Sequence, residues 1–181
     1  MTMEVVNVRS IMALCVGAAT FCALPAPAEP AKGSPEASVI QLIGDTEITI
    51  DYSRPGVKSR VIWGELVPYG ELWRAGANAK TAFDFEDDVI IEGKTIPAGT
   101  YSFYVLPEED EWILILNSNW EGHGTKHDKD ADVLRFTVTP TEAPHEEWLR
   151  YGFEDLEDDA ATIYLHWEMK KASFRIEVLQ D

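Results

Sequence analysis

The feature of this sequence that most limits its fold is a repeated alternation of apolar and polar residues with a period of two. Its apolar members are Ile48, Ile50 and Tyr52; Phe83 and Phe85; Leu134, Phe136 and Val138; Ile163, Leu165, Trp167 and Met169; Phe174, Ile176 and Val178. Successive side chains of a β-strand point to opposite faces of its sheet, so this pattern predicts strands with one buried face. Residues 101–106 and 112–116 are apolar on both faces, which predicts central strands covered on each side.

Turn-forming residues separate the predicted strands. Glu92-Gly93 predicts a tight hairpin, and Pro97-Ala98-Gly99 predicts a turn, because glycine accepts a positive φ and proline fixes its own. Residues 107–111 and 170–171 mark further breaks between strands, and residues 64–76 are compatible with a helical turn. About nine or ten short strands without interleaved helices predict one all-β domain. It is a single β-sandwich or Greek-key barrel of mostly antiparallel strands.

The first 28 residues have the pattern of a signal peptide. Arg9 precedes an apolar run over residues 11–24, and Ala26-x-Ala28 is a small-residue cleavage pattern. The alternative, a buried N-terminal core helix, is disfavoured by the Pro/Ala cluster that follows and by the lack of a helix cap. We therefore expect a periplasmic or secreted protein with a signal peptide at 1–28, a flexible lead-in at 29–38 and a β-sandwich domain at 39–181.

The charge of the chain limits its partners. It has 32 Asp and Glu against 15 Lys and Arg, which gives a net charge of −17. Removal of residues 1–28 takes away one acid and one base, so the remaining chain has 31 acids, 14 bases and the same net charge of −17. Nucleic acid and anionic lipid would be repelled, so neither is an expected partner.

The two cysteines, Cys15 and Cys22, leave with the signal peptide, and neither follows a small residue. We therefore expect no lipid anchor, disulfide or thiol chemistry. No cofactor is expected, and the sequence defines no protein partner.

Residues 51–78 read DYSRPGVKSRVIWGELVPYGELWRAGAN and are distinctive. They resemble the exported bacterial family catalogued as domain of unknown function 2911, and the likeness runs from about Ile48 to Val178. It continues through the stretches Ile91-Glu92-Gly93-Lys94, Pro97-Ala98-Gly99-Thr100-Tyr101-Ser102, Glu111-Trp112 and Asp132-Val133-Leu134-Arg135. The resemblance implies an exported β-rich domain without an established activity or catalytic residue. One departure lies in residues 119–130, where the family usually has a Trp-Gly pair and a tyrosine.

The same segment supplies the candidate ligand-binding residues. They are Arg54, Arg60, Tyr69, Trp73, Arg74 and Asn78. Guanidinium groups bind carboxylates or phosphates, and an adjacent indole can stack on a ligand, so the segment predicts a pocket for a small anionic or saccharide-like molecule. The alternative is that the arginines pair internally with the abundant carboxylates, which would make the domain a structural or protein-interaction module of the cell envelope.

A metal site and a catalytic site have weaker support. His123, His127 and Asp128 are weak candidate metal ligands, but the glycines beside His123 oppose a helix, and a solvated polar loop is the preferred interpretation. Ser53 and Ser102 lack the Gly-x-Ser-x-Gly elbow of a serine hydrolase. We therefore expect binding without catalysis, with a hydrolase of unrecognised site as a further alternative.

Overall fold

The computed structural model describes residues 33–121 and 126–179, so the predicted signal peptide lies outside the described residues. The strands are β1 (Glu36–Ile43), β2 (Thr46–Ser53), β3 (Thr81–Phe85), β4 (Val89–Ile91), β5 (Lys94–Ile96), β6 (Gly99–Pro107), β7 (Trp112–Asn117), β8 (Asp132–Val138), β9 (Thr141–Glu154) and β10 (Ala160–Val178). A 3₁₀ turn spans Lys129–Ala131. Within these ranges no helix has the length and apolar character needed to cross a membrane.

The strands form two antiparallel sheets. One has six strands in the order β1-β2-β3-β6-β7-β8, and the other has four in the order β5-β4-β10-β9. Aromatic side chains pack between the sheets: the ring of Phe174 in β10 lies 6.1 Å from that of Phe103 and 6.4 Å from that of Phe83. Two sheets that share an apolar interior are a β-sandwich, so the predicted all-β fold is confirmed.

The alternating pattern predicts the buried face of most strands correctly. Ile48 and Ile50 of β2 and Phe83 and Phe85 of β3 are buried. The central strands β6 and β7 are buried on both faces over most of their length, as their continuous apolar runs predict. Hydrophobic burial against the opposite sheet therefore explains why these segments adopt their observed register.

The predicted break at Lys170-Lys171 is wrong, because β10 runs through it as one long strand. Trp167 and Ala172 are both buried although they are five positions apart, which would place them on opposite faces of a regular strand, while Met169 is 46% exposed. The pairing of β10 with β9 shifts register on each side of Glu168, whose φ is 56°. A β-bulge of this kind reverses the faces of a strand without ending it, which a period-two pattern cannot show.

The other predicted turns agree with the structure better. Glu92 and Gly93, with φ of 52° and 71°, join β4 to β5 in a hairpin, and residues 107–111 connect β6 to β7. Residues 64–76 contain turns and isolated bridges, and no helix is found there. β1 begins at Glu36, so residues 36–38 of the predicted lead-in pair with β2 as an edge strand.

A long connection, residues 54–80, joins β2 to β3 and touches both sheets. Gly56 forms an antiparallel bridge with Trp148 of β9, where the Val57 amide donates to the Glu147 carbonyl at 2.8 Å. Further along, Trp73 forms an antiparallel bridge with Val105 of β6. These backbone bonds hold a segment without strands of its own against the sandwich.

Candidate functional site

Trp73 is held in place by the end of a neighbouring strand. β3 starts at Thr81, which pairs with Phe103 of β6, so two residues further along β6 the backbone of Val105 has no β3 partner. Trp73 takes that place, and each residue donates its amide to the carbonyl of the other at 2.8 Å. Trp73 therefore continues the edge that β3 leaves, and its side chain is positioned as precisely as one on a strand.

Four indole rings pack together below this point. The ring of Trp73 stacks on that of Trp167 from the opposite sheet, with centroids 5.7 Å apart and planes at 22°. The ring of Trp63 lies 5.8 Å from Trp73, 6.0 Å from Trp167 and 4.4 Å from Trp112. In the described part of the chain, the buried indole nitrogens of Trp63 and Trp167 have no hydrogen-bond acceptor. This indole cluster forms an apolar surface, which we call the floor, and the N–H groups of Trp63 and Trp167 within it have no acceptor among the described residues.

A cavity of about 530 Å³ lies against the floor, and we call it the cationic cavity. Its described lining residues are Ser34, Pro55, Arg60, Leu66, Val67, Leu72, Trp73, Arg74, Gly76, Ala77, Tyr104, His127 and Trp167. None of these is Asp or Glu, although acids outnumber bases two to one in the sequence. Three other concavities are each lined by at least two carboxylates. The cationic cavity therefore departs from the acidic character of the rest of the protein.

The two cavity arginines have few internal partners. Arg60 is exposed and donates from Nε to the Val57 carbonyl at 3.1 Å and from Nη2 to the Gly56 carbonyl at 2.5 Å. Arg74 is half-buried, and among the described residues it has no hydrogen-bond acceptor and no carboxylate within 4.0 Å. Within residues 33–121 and 126–179, its guanidinium group therefore has all its donors available to another molecule.

Arginines elsewhere in the described chain behave differently. Arg135 pairs with Asp132 at 2.8 Å, Arg150 with Glu146 at 3.8 Å, and Arg175 with Glu157 at 2.9 Å. By the same 4.0 Å criterion, Arg54, Arg60 and Arg74 have no carboxylate partner among the residues that the structure describes. The expectation that these three arginines pair internally with carboxylates is therefore not met there.

Three of the predicted ligand-binding residues lie outside the cavity lining. Arg54 donates from Nε to the Leu149 carbonyl of β9 at 2.9 Å, which braces the connection against that strand. Tyr69 lies beside a separate concavity lined by acidic residues 108–111. Asn78 is exposed with a φ of 56° and donates from Nδ2 to the Ser34 carbonyl at 3.2 Å. The structure thus brings together Arg60, Trp73 and Arg74 of the predicted set.

His127 enters the cavity from the loop before β8, where Asp132 fixes its ring. Asp132 has a side chain only 5% exposed, and its Oδ1 lies 2.6 Å from His127 Nε2. The same carboxylate accepts from Asn117 Nδ2 and from Arg135 Nη1, both at 2.8 Å. Burial alone raises the pKa of Asp132, but hydrogen bonds from Asn117, Arg135 and His127 outweigh it and the net pKa is lowered. The ionised carboxylate therefore accepts a hydrogen bond from His127 Nε2–H, and Nδ1 of the imidazole takes no part in this pair.

Tyr104 of β6 adds a hydroxyl group to the wall beside His127. The two rings meet edge to face with centroids 5.0 Å apart. Burial raises the pKa of Tyr104, a hydrogen bond with Ser102 opposes this rise, and the negative charge of Asp132 adds to it. The phenol consequently stays protonated at neutral pH and donates to the Lys126 carbonyl at 3.4 Å.

A buried lysine fixes the start of the loop that carries His127. Lys80 is 8% exposed, and its Nζ donates to the carbonyls of Asn119 at 2.7 Å and Glu121 at 2.9 Å. The ammonium group therefore serves as a hydrogen-bonded anchor for the chain near residues 119–121. A buried charge of this kind is tolerated because backbone carbonyls replace its lost hydration.

The weak metal candidates do not form a group in the described structure. His127 is bonded to Asp132, while Asp128 caps the 3₁₀ turn by accepting from the Asp130 amide at 3.1 Å. No cluster of three or more His, Cys, Asp or Glu side chains suited to a metal ion occurs in residues 33–121 and 126–179. His123 lies outside those ranges.

The fold and the cavity together define a β-sandwich domain with a cationic cavity beside an indole cluster. The chain belongs to the family described as "Protein of unknown function (DUF2911)", whose model matches residues 34–176 and so covers both sheets and the cavity lining. The family resemblance of residues 51–78 is thereby confirmed. No curated protein and no solved structure matches this chain.

Proposed function

We propose that this domain binds a small anionic ligand in the cationic cavity, without catalysis. The observation that carries the proposal is the pairing pattern of the arginines. Arg60 and Arg74 line a concavity whose described wall contains no carboxylate, while Arg135, Arg150 and Arg175 all pair with acids. In a protein with 32 acidic residues, guanidinium groups kept from them are suited to an anion from outside.

The geometry of the wall supports anion binding. Arg74 is unpaired within the described chain, and its neighbour Trp73 is fixed by two backbone bonds to Val105. A guanidinium group on a fixed backbone loses less conformational entropy on binding than one on a mobile loop. His127, whose Nε2 lies 2.6 Å from Asp132 Oδ1, also lines the wall.

The overall charge of −17 repels any anion, whereas the guanidinium groups of Arg60 and Arg74 attract it. The affinity for an anion therefore depends on the balance of these two contributions. Repulsion from the distant carboxylates acts over long range and is screened by salt, whereas direct contacts with the two guanidinium groups are short. We therefore expect moderate salt to weaken anion binding less here than in a cationic protein.

The structural-module alternative accounts for the other end of the connection. Arg54 bonds the Leu149 carbonyl, and the backbone of residues 55–57 bonds β9. In these contacts the Arg54 side chain and the backbone amides donate to carbonyls of the same protein. They therefore stabilise the fold and are not available to a ligand. The connection is therefore best explained by two roles. The part near Arg54 stabilises the fold, and the part near Arg60 and Arg74 contacts the ligand.

The test is a thermal-shift titration of the purified protein with carboxylates and phosphates, compared with sodium chloride at equal ionic strength. A ligand that binds the native state at roughly 100 times its Kd stabilises it by about 2.7 kcal/mol, which raises the Tm by roughly 5–10 °C in a chain of this size. Neutral sugars and divalent cations should give no comparable shift.

Matched variants make this experiment specific. Arg74→Gln and Arg60→Gln should lower or abolish the shift, whereas Arg175→Gln, which removes the same charge from an arginine paired with Glu157, should keep it. The proposal fails if no anion raises the Tm above the chloride control, or if Arg175→Gln loses as much of the shift as Arg74→Gln.

We also propose that the protein is exported with cleavage after Ala28. The support is the sequence pattern of Arg9, the apolar run at 11–24 and Ala26-x-Ala28. Mass spectrometry of the full-length gene product expressed in a bacterium should find a chain beginning at Glu29 in the periplasm or medium. An intact N-terminus in the cytoplasm would refute this.

A further inference from the structure

We infer that the anion bound in the cationic cavity is an amphipathic organic acid, with a carboxylate or phosphate head joined to an apolar body. The inference rests on the proposed function and specifies its ligand class. It follows from how the wall is divided between charged and apolar side chains, and from which hydrogen-bonding groups the wall offers.

Most of the wall is apolar. Beside Arg60, Arg74 and His127 it includes Leu66, Val67, Leu72, Trp73 and Trp167. A bare inorganic anion would contact the cationic groups and leave this apolar surface in water. Covering it with an alkyl or aryl group adds about 25 cal/mol for each Å² of apolar area removed from water. A cavity of about 530 Å³ is also within the usual range for sites that enclose a small organic molecule.

Two leucines of the wall are unusually open to solvent. Leu66 is 43% exposed and Leu72 is 38% exposed, in the same connection as Arg60 and Arg74. Large apolar side chains grouped in a concavity mark surfaces that bury themselves against another apolar group. The two leucines are therefore placed to cover the body of a ligand whose head reaches the arginines.

The hydrogen-bonding groups disfavour a saccharide. Sugar hydroxyls need acceptors as well as donors, and the described lining has no Asp, Glu, Asn or Gln side chain. Its strongest polar groups, Arg60 and Arg74, only donate. Trp73 already stacks one face on Trp167, which leaves it less ring surface for a sugar. An acid head group accepts the hydrogen bonds that Arg60 and Arg74 donate.

The inference is tested by isothermal titration calorimetry with two matched pairs of probes, octanoate against acetate and phenyl phosphate against inorganic phosphate. Each pair shares a head group and differs in its apolar body. We expect the apolar member of each pair to bind at least about tenfold more tightly, with a more negative heat-capacity change, because apolar burial carries that signature.

Variants at the rim separate the two parts of the ligand. Leu66→Gln and Leu72→Gln change exposed side chains, so the fold is retained, and they should weaken octanoate binding by a several-fold larger factor than acetate binding. Leu156→Gln, at a leucine 53% exposed outside the cavity lining, is the matched control and should change neither.

The outcomes distinguish this inference from the proposed function. If acetate and phosphate bind as tightly as octanoate and phenyl phosphate, the anion site stands and the amphipathic ligand class is wrong. If octanoate binds but Arg74→Gln does not weaken it, the apolar surface alone is responsible and the inference is again overturned. If none of the four probes binds, the proposed function fails with it.

Discussion

Trp73 and Val105 exchange both of their backbone hydrogen bonds, each 2.8 Å long, although Trp73 belongs to no strand. The pair completes the edge of β6 where β3 has ended, and it fixes the backbone immediately before Arg74. Arg74 is thereby joined to a buried stretch of the central strand β6.

Replacing Trp73 by alanine should destabilise the protein by about 3 kcal/mol. The change removes the stack on Trp167 and the contact with Trp63, and leaves a cavity in the indole cluster. Urea denaturation followed by circular dichroism measures the loss. Trp120→Ala, at a tryptophan 45% exposed, is the control and should cost less than about 0.5 kcal/mol. Equal losses would show that the indole cluster contributes no special stability.

A methyl group at Gly76 should also be costly. A Cβ there would lie 2.6 Å from Thr81 Oγ1 and 3.3 Å from the Ser53 carbonyl, and the Thr81 hydroxyl is fixed by its 3.0 Å bond to the Ala75 carbonyl. We expect Gly76→Ala to lower the free energy of unfolding by about 1–3 kcal/mol.

The double-mutant cycle with Thr81→Ala identifies the cause of that loss. Removing Oγ1 relieves the closest contact, so Gly76→Ala should cost less in the Thr81→Ala background than alone. Additive effects of the two substitutions would mean that the overlap with Oγ1 is not the source of the destabilisation.

Stability should fall in acid through Asp132. Its folded-state pKa lies below the ordinary value of 3.8, because hydrogen bonds from Asn117, Arg135 and His127 outweigh the effect of burial. A carboxyl with a lowered folded pKa stabilises the native state fully above its unfolded pKa. That contribution is lost as pH falls through the folded pKa.

The free-energy difference between the wild type and Asp132→Asn should therefore be constant above about pH 5 and shrink as pH falls toward about pH 3. Urea titrations at a series of pH values measure it, with Glu109→Gln, an exposed substitution, as the control. A difference that stays constant down to pH 3 would contradict the assigned role of the Asp132 carboxylate.

Lys80→Met should destabilise the protein by about 1–3 kcal/mol, since it leaves the Glu121 carbonyl without its donor and the Asn119 carbonyl with only the Ser102 hydroxyl, in a part-buried place. Lys94→Met is the matched control: Lys94 also donates to a backbone carbonyl, that of Val133, but it is exposed, and its loss should cost less than about 0.5 kcal/mol. Hydrogen exchange should show faster opening near Ser118 in Lys80→Met, and unchanged exchange there would refute the anchoring role.

Most of the fold could be predicted because strand formation follows local alternation. Ile48, Ile50, Phe83 and Phe85 were assigned to the buried face from sequence, and they are buried. The prediction failed at Glu168, where a bulge reverses the faces of β10. A bulge depends on pairing with another strand, so it cannot be predicted from the alternation of residues within a single strand.

The candidate site could be predicted in part. Arg60, Trp73 and Arg74 lie near one another in sequence, and their residue types alone drew attention to them. Tyr104 and Trp167 come from strands of different sheets and were expected only to pack in the core. Their place in the cavity is set by tertiary packing, which spacing along the chain does not encode. Arg54 has the same chemistry as Arg74 but bonds a backbone carbonyl of β9, a partner that only the folded chain supplies.

The connection 54–80 is bonded to β9 at Gly56 and to β6 at Trp73, and these strands belong to opposite sheets. It therefore links the two sheets through backbone hydrogen bonds. Under the proposed function, a ligand that contacts Arg60 and Arg74 would also resist sliding of one sheet past the other, and by reciprocity any change that separates the sheets would weaken ligand binding. Ligand occupancy of the cavity and the stability of the sandwich would then be two measures of one equilibrium.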